Sequence, residues 1–106
     1  GLLYWLDWKS DRLDEYSPQR IQEHVDEHYD LQAQLYSLAL SRLLGVRDES
    51  DYEARFGGYL YIFLRGMVEV DQPTAGVYFD RPSWADVTAF ETQLISDPRL
   101  PTERRT

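Results

Sequence analysis

The sequence predicts a small α/β domain in which a mixed sheet is flanked by helices, and three observations carry that reading. Leu2 to Lys9 alternates with the period of a strand, Ser17-Pro18 opens a long helical stretch, and Tyr59 to Leu64 is an aromatic-rich apolar run of strand length. The chain has 106 residues, 42% of them hydrophobic, which suits one core of modest size.

In the first strand Leu2, Tyr4, Leu6 and Trp8 project to one side and Leu3, Trp5, Asp7 and Lys9 to the other, so Asp7 and Lys9 share a face. Ser17 can cap free amides and Pro18 suits a first helical position, which predicts a helix from Pro18 to about Glu27. A second helix is predicted from about Tyr29 to Leu44, with Leu31, Leu35, Leu38 and Leu43 near helical spacing and Gly45 as its terminator. Arg47 to Arg55 is highly charged without an apolar period and reads as a connector with room for a helical turn. Phe56 starts the next element, in which Tyr59 to Leu64, flanked by Gly57, Gly58 and Gly66, reads as a buried strand. Val68 to Thr74 reads as a turn, and Gly76 to Phe79 as a short antiparallel partner. Ser83 and Asp86 resemble a capping box that opens a helix to about Ile95. From Ser96 to Thr106 there are Pro98, Pro101 and three arginines with little to bury. The domain is therefore expected to occupy residues 1–95, and 96–106 to form a disordered tail.

Counting 11 Lys and Arg against 19 Asp and Glu gives a net charge of -8, which opposes general attraction to a phosphate backbone. Any DNA contact has to be local. The absence of cysteine excludes a disulfide framework and a thiolate zinc site. The apolar runs are too short to span a bilayer and the N-terminus has no signal-type core, which points to a protein free of membranes and compatible with the cytoplasm. Position 1 is Gly, the sole methionine is Met67, and the chain opens directly on a strand. These features lead us to expect a piece of a longer protein, with an unpaired sheet edge that invites self-association.

The candidate chemistry lies in Asp7, Lys9, Gln32 and Tyr36. An Asp-x-Lys pair at a strand end sets a carboxylate beside an ammonium on a rigid element. A hard cation such as Mg2+ prefers oxygen ligands, which Asp7 can supply with the backbone carbonyl of Trp8. Lys9 can orient an attacking water or stabilise developing negative charge. Taken alone, the same three residues are better read as a solvated ion pair at a strand end. Gln32 and Tyr36 are four residues apart and share a helix face, where an amide and a phenol can hydrogen-bond phosphate; taken by themselves, ordinary amphipathic packing with Tyr36 half buried is the better reading. His24 and His28 have metal-compatible spacing, yet no third ligand accompanies them, and a solvated face is the better reading. The aromatic run from Phe56 to Phe63 reads as core rather than as a base-stacking platform. Arg65 is a strand-end cation that can pair with an acid or meet DNA.

Three runs, taken in order, resemble the RecB family of nucleases. Leu6-Asp7-Trp8-Lys9-Ser10 is similar to that family's strand ending in Asp-x-Lys, part of the wider PD-(D/E)xK pattern. Tyr29-Asp30-Leu31-Gln32-Ala33-Gln34-Leu35-Tyr36, followed by Leu38-Ala39-Leu40, resembles its Gln-x-x-x-Tyr helix. Phe56-Gly57-Gly58, Tyr61 and Phe63-Leu64-Arg65-Gly66 resemble the segment that separates RecB from its relatives. The match runs from about Leu2 to Leu94.

The resemblance implies a restriction-endonuclease-like core, present here as a C-terminal fragment. It implies Asp7 as metal ligand, Lys9 as catalytic lysine, and Gln32 and Tyr36 in the helix motif's catalytic and DNA-binding roles. It also implies Mg2+-dependent hydrolysis of DNA by an exodeoxyribonuclease V type enzyme in double-strand break repair and recombination. RecC- and RecD-type partners, RecA delivery and ATP use by a separate motor domain come with it. Asp11 stands where the family leads us to expect Asn, adding negative charge near the site. The family also places a metal-binding Asp on the preceding strand and a His further upstream. Both are expected before Gly1, so the fragment itself is expected to be weak or inert. A non-catalytic docking module for RecA or the RecC- and RecD-type subunits is the alternative, motivated by acidity and the missing ligands.

Overall fold

The structure, a computed structural model, describes residues 1–69 and 75–97. Three strands, β1 (Leu3–Lys9), β2 (Phe56–Phe63) and β3 (Val77–Asp80), form one sheet in the order β1-β2-β3. The helices are α1 (Pro18–His28), α2 (Asp30–Leu43), α3 (Glu49–Arg55), α4 (Leu64–Glu69) and α5 (Trp84–Ser96). β1 pairs with β2 in parallel, setting Trp5 against Tyr59, Asp7 against Tyr61 and Lys9 against Phe63. β2 pairs with β3 antiparallel, setting Tyr61 against Tyr78. The sheet is mixed, as the sequence predicts. A parallel pair needs a long crossover, and α1, α2 and α3 provide it.

The helix starts follow from side-chain caps. Ser17 Oγ accepts from the Arg20 amide at 3.2 Å, Asp48 Oδ1 from the Asp51 amide at 2.8 Å, and Ser83 Oγ from the Asp86 amide at 3.0 Å. Helical geometry breaks at Tyr29, where φ is -125° and ψ 6°, so two helices stand here, as the sequence predicts. Gly45, with φ +75°, ends the second in the left-handed conformation that glycine adopts without strain.

Two aromatic-rich clusters hold the helices to the sheet. In the first, Ile21 and Val25 of α1 and Ala33 of α2 pack on Tyr59, Tyr61 and Phe63 of β2. In the second, Leu38 of α2, Tyr52 of α3 and Val87 and Phe90 of α5 surround Phe56. Trp5 packs against both clusters, its ring stacked on Tyr59 at 4.5 Å between centroids. Its indole Nε1 donates to Ser37 Oγ at 3.1 Å, which satisfies a polar atom that would otherwise be costly to bury.

Several expectations need correction. The buried face of α2 is Ala33, Ser37, Leu38 and Ser41, while Leu31 and Leu43 are 62% and 83% exposed. Small residues let the helix lie close to the aromatic sheet, and closeness won over leucine spacing. Arg47 to Arg55 is largely the capped helix α3, because Asp48 supplies an N-cap and Tyr52 a buried anchor. β2 begins at Phe56, so Gly57 and Gly58 are strand residues rather than flanks, and Leu64 already belongs to α4. A Cβ on Gly57 would run into the Tyr4 ring, and one on Gly58 would meet the Asp80 carbonyl oxygen at 2.7 Å. The turn expected from Val68 begins two residues too early, since α4 continues to Glu69; its remainder, 70–74, lies outside the described residues. The final helix extends to Ser96, and of the expected tail 98–106 lies outside the described residues.

Helices pack on the face that carries Trp5, Asp7 and Lys9. On the opposite face Tyr4, Leu6 and Trp8 of β1 are 50%, 50% and 56% exposed, and Phe79 of β3 is 52% exposed. The outward residues of β1 are therefore the more apolar set, the reverse of a solvated face.

The Gly58 position yields a prediction. Its φ of +123° is strained for any L side chain, and the Asp80 carbonyl blocks a Cβ. Gly58→Ala is expected to lower the unfolding free energy by more than about 1 kcal/mol. Urea unfolding measures this, and an unshifted midpoint would contradict the close approach.

Candidate functional site

Because β1 alternates, Asp7 and Lys9 both face the helices, and the first turn of α2 brings Gln32 against them. Lys9 Nζ lies 3.1 Å from Asp7 Oδ2 and donates to Gln32 Oε1 at 3.1 Å. The Lys9 side chain is 12% exposed and that of Asp7 35%, so the carboxylate is the more open of the two. The same Gln32 oxygen accepts from the Tyr61 hydroxyl at 2.7 Å. Three elements, β1, α2 and β2, thus converge on one bonded row, and the residues picked from separate motifs meet.

Aromatic rings surround the ammonium. The Tyr29 ring centroid lies 4.0 Å from Lys9 Nζ and the Tyr61 centroid 5.2 Å away, where ring faces attract a cation. Tyr61 is fully buried, and burial, then the nearby charge of Asp7, pushes its hydroxyl pKa upward. It remains a donor to Gln32 at any working pH. Tyr29 is likewise raised, to about 12, by burial and then by its bond to Asp11.

Asp11 belongs to this neighbourhood, as its place beyond Lys9 suggested, and His24 joins it, which the sequence did not reveal. Asp11 Oδ2 accepts from the Tyr29 hydroxyl at 2.5 Å and lies 2.8 Å from His24 Nε2. Burial raises the Asp11 pKa, but the Tyr29 hydroxyl and the His24 ring outweigh it and hold the carboxyl below its ordinary value. The reading of His24 as part of a solvated face is thereby corrected: its side chain is 13% exposed, because α1 turns it toward Asp11. His28 does fit that reading, with a half-exposed ring paired to Glu27 at 2.8 Å. Asp11's extra charge is turned inward rather than offered to solvent. Only the step from Lys9 to Asp11, crossing the strand end, hinted at this proximity.

Tyr36 lies one helical turn beyond Gln32, its ring edge-on to Trp5 at 5.2 Å between centroids and 46% exposed. It stands beside the row, further down the same sheet face. The Phe56 to Phe63 run is core, as expected, yet Tyr61 within it also reaches the polar row. Arg65 is in the first turn of α4 rather than at a strand end, and its Nε donates to the Ser10 carbonyl at 2.8 Å. It ties α4 to the residue after Lys9. The Trp8 side chain points to the open face.

Asp7 suits a hard cation as one oxygen ligand. Among the described residues, however, no group of three or more His, Asp and Glu side chains is placed to hold a metal. No helix among the described residues is long and apolar enough to cross a membrane.

No family model matches the chain. Individual proteins do. Over 106 aligned residues, covering 94% of the chain, it is 46% identical to the RecBCD enzyme subunit RecB of Escherichia coli. It is 39% identical over 97 residues to the RecB of Haemophilus influenzae and 28% identical over 95 residues to that of Borreliella burgdorferi. The chain matches a segment of RecB. It spans 9% of the Escherichia coli RecB and 8% of each of the other two. The resemblance read from the three runs is borne out at this level, and the bonded row lies inside the matched stretch.

The depressed Asp11 carboxyl has a consequence for stability. Its folded pKa lies below the ordinary aspartate value, so the stabilisation it provides is present above the unfolded pKa and is lost as pH falls through the folded one. Asp11→Asn is expected to flatten the decline in unfolding free energy in that acid range. Denaturant unfolding at a series of pH values checks this, and an identical decline in the variant contradicts it.

Proposed function

We propose that this chain is part of a Mg2+-dependent nuclease domain of a RecBCD-type exodeoxyribonuclease, which hydrolyses DNA phosphodiesters at double-strand ends in repair and recombination. The observation that carries it is the bonded row Asp7, Lys9, Gln32, set on a strand and a helix of a chain similar to RecB. The mixed sheet with Asp7 and Lys9 at the end of β1 is compatible with a restriction-endonuclease-like core.

In this reading Asp7 is a metal ligand, together with the Trp8 carbonyl and further ligands from outside the chain. A bound divalent cation supplies a Lewis acid and an activated water. The chain's own part is positioning and charge. Two N–H directions of Lys9 are taken by Asp7 and Gln32, leaving the ammonium one donor for a phosphate oxygen or an attacking water. Gln32, with both its oxygen's bonds filled by Lys9 and Tyr61, holds the lysine. Tyr36, half exposed on the same helix, contacts the DNA backbone. Net charge of -8 means that most DNA attraction comes from other parts of the protein, in company with RecC- and RecD-type subunits and RecA.

In the full-length protein Asp7→Ala and Lys9→Ala are expected to lower cleavage by at least about a hundredfold while leaving unwinding intact. A chelator is expected to stop cleavage and added Mg2+ to restore it. Cleavage of DNA substrate by purified variants, with unwinding followed in parallel, decides. A fully active Asp7→Ala enzyme sinks the assignment.

The second reading, a docking module, rests on the open apolar face of Leu6, Trp8 and Phe79. Asp7→Ala with intact cleavage, together with lost subunit association in Leu6→Lys, is the pattern it requires.

A further inference from the structure

Lys9 is the only lysine in the chain, and it is restrained from more sides than Asp7 and Gln32 account for. An ammonium on a four-carbon stem is a mobile point charge. To orient a water or meet a phosphate oxygen, it has to be fixed. Two rings supply the remaining restraint, Tyr61 at 5.2 Å from Nζ and, nearer, Tyr29 at 4.0 Å, and a ring serves that purpose only if it cannot swing aside.

Its far end is anchored. The Tyr29 hydroxyl donates to Asp11 Oδ2, and His24 Nε2 lies 2.8 Å from the same oxygen. The three groups come from separate pieces of chain: Asp11 just beyond β1, His24 within α1, and Tyr29 at the junction of α1 and α2. The anchor therefore ties the strand end that carries Lys9 to the helical turn that carries its aromatic neighbour. Asp11 is itself braced, since its backbone carbonyl accepts from the Tyr16 hydroxyl at 3.3 Å. Packing alone does not account for the arrangement. Tyr29 also touches Tyr61 and Phe63, at 5.3 and 6.5 Å between centroids, and phenylalanine would serve those contacts equally.

We propose that Tyr29 is a positioning residue for Lys9, held beneath the ammonium by an anchor made of Asp11 and His24. The contact stands on geometry; its catalytic consequence rests on the nuclease reading above. Two measurements keep these apart.

In the 106-residue chain, the single lysine is expected to give one ε-methylene carbon NMR signal, whose attached protons the Tyr29 ring current displaces upfield. Tyr29→Phe keeps the ring but frees it, and is expected to reduce the displacement. Tyr29→Leu reduces it further. Asp11→Asn, whose amide oxygen still accepts from the phenol, retains more of it than Asp11→Ala. Circular dichroism controls for the fold, and if Tyr29→Leu unfolds, the Tyr29→Phe variant carries the test. An unmoved lysine signal in folded Tyr29→Phe and Asp11→Ala overturns the contact.

In the full-length protein Tyr29→Phe is expected to lower kcat for DNA cleavage on the order of tenfold, with KM for DNA and unwinding unchanged. Combined with Lys9→Arg it is expected to cost less than it does alone, as two groups acting through one another do. Asp7→Ala is the control. If it leaves cleavage intact, the nuclease reading falls and the NMR result stands. If it abolishes cleavage while Tyr29→Phe keeps the full kcat, the positioning role is overturned.

Discussion

The parallel pairing of β1 with β2 is the constraint on which the rest depends. Its register puts Asp7 opposite Tyr61 and Lys9 opposite Phe63 on the helix-covered face. A slip of one residue would turn both charged groups to the open face and bring Leu6 and Trp8 inside. Trp5 opposes this. It is stacked on Tyr59, bonded to Ser37 and packed into both clusters, so the strand cannot shift without unmaking contacts in two cores and leaving an indole N–H unpaired.

That register creates an unusual environment for a lysine. Lys9 is almost withdrawn from water, yet it is met by a carboxylate, an amide oxygen and two aromatic faces. A desolvated ammonium is costly unless such partners are present. The aromatic richness of β2 therefore serves two ends at once: Tyr61 fills the core with its ring and steadies Gln32 with its hydroxyl. The same economy recurs in Tyr29, half packed against Tyr61 and Phe63 and half engaged with Asp11.

The two sheet faces differ for a related reason. The helix-facing side is closed by small residues of α2, which permit close approach, and by aromatic rings that reach across the gap. The other side carries large apolar groups that no described element covers, and the Tyr4 ring takes the space that glycine leaves at position 57. Apolar content alone thus does not tell which face of a strand is buried; the geometry of the covering layer does.

Sequence by itself determined the local elements whose causes are local. Ser17-Pro18, Gly45 and Ser83 mark helix ends because capping and glycine's left-handed conformation involve neighbours a few residues apart. Alternation along β1 likewise determined that Asp7 and Lys9 share a face, and the three runs were enough to point to RecB. It misplaced the buried side of α2 and the nature of 47–55, because leucine spacing and charge count say nothing of how closely a helix approaches a sheet. Only the tertiary structure decided that Gln32, Tyr61 and Tyr29 meet at Lys9, and that Asp11 reaches His24. The hydrogen-bonded pairs among them are separated by 13 to 29 residues of chain, and what brings them together is the register of a parallel ladder and the packing of a crossover, neither of which is written in any short stretch of sequence.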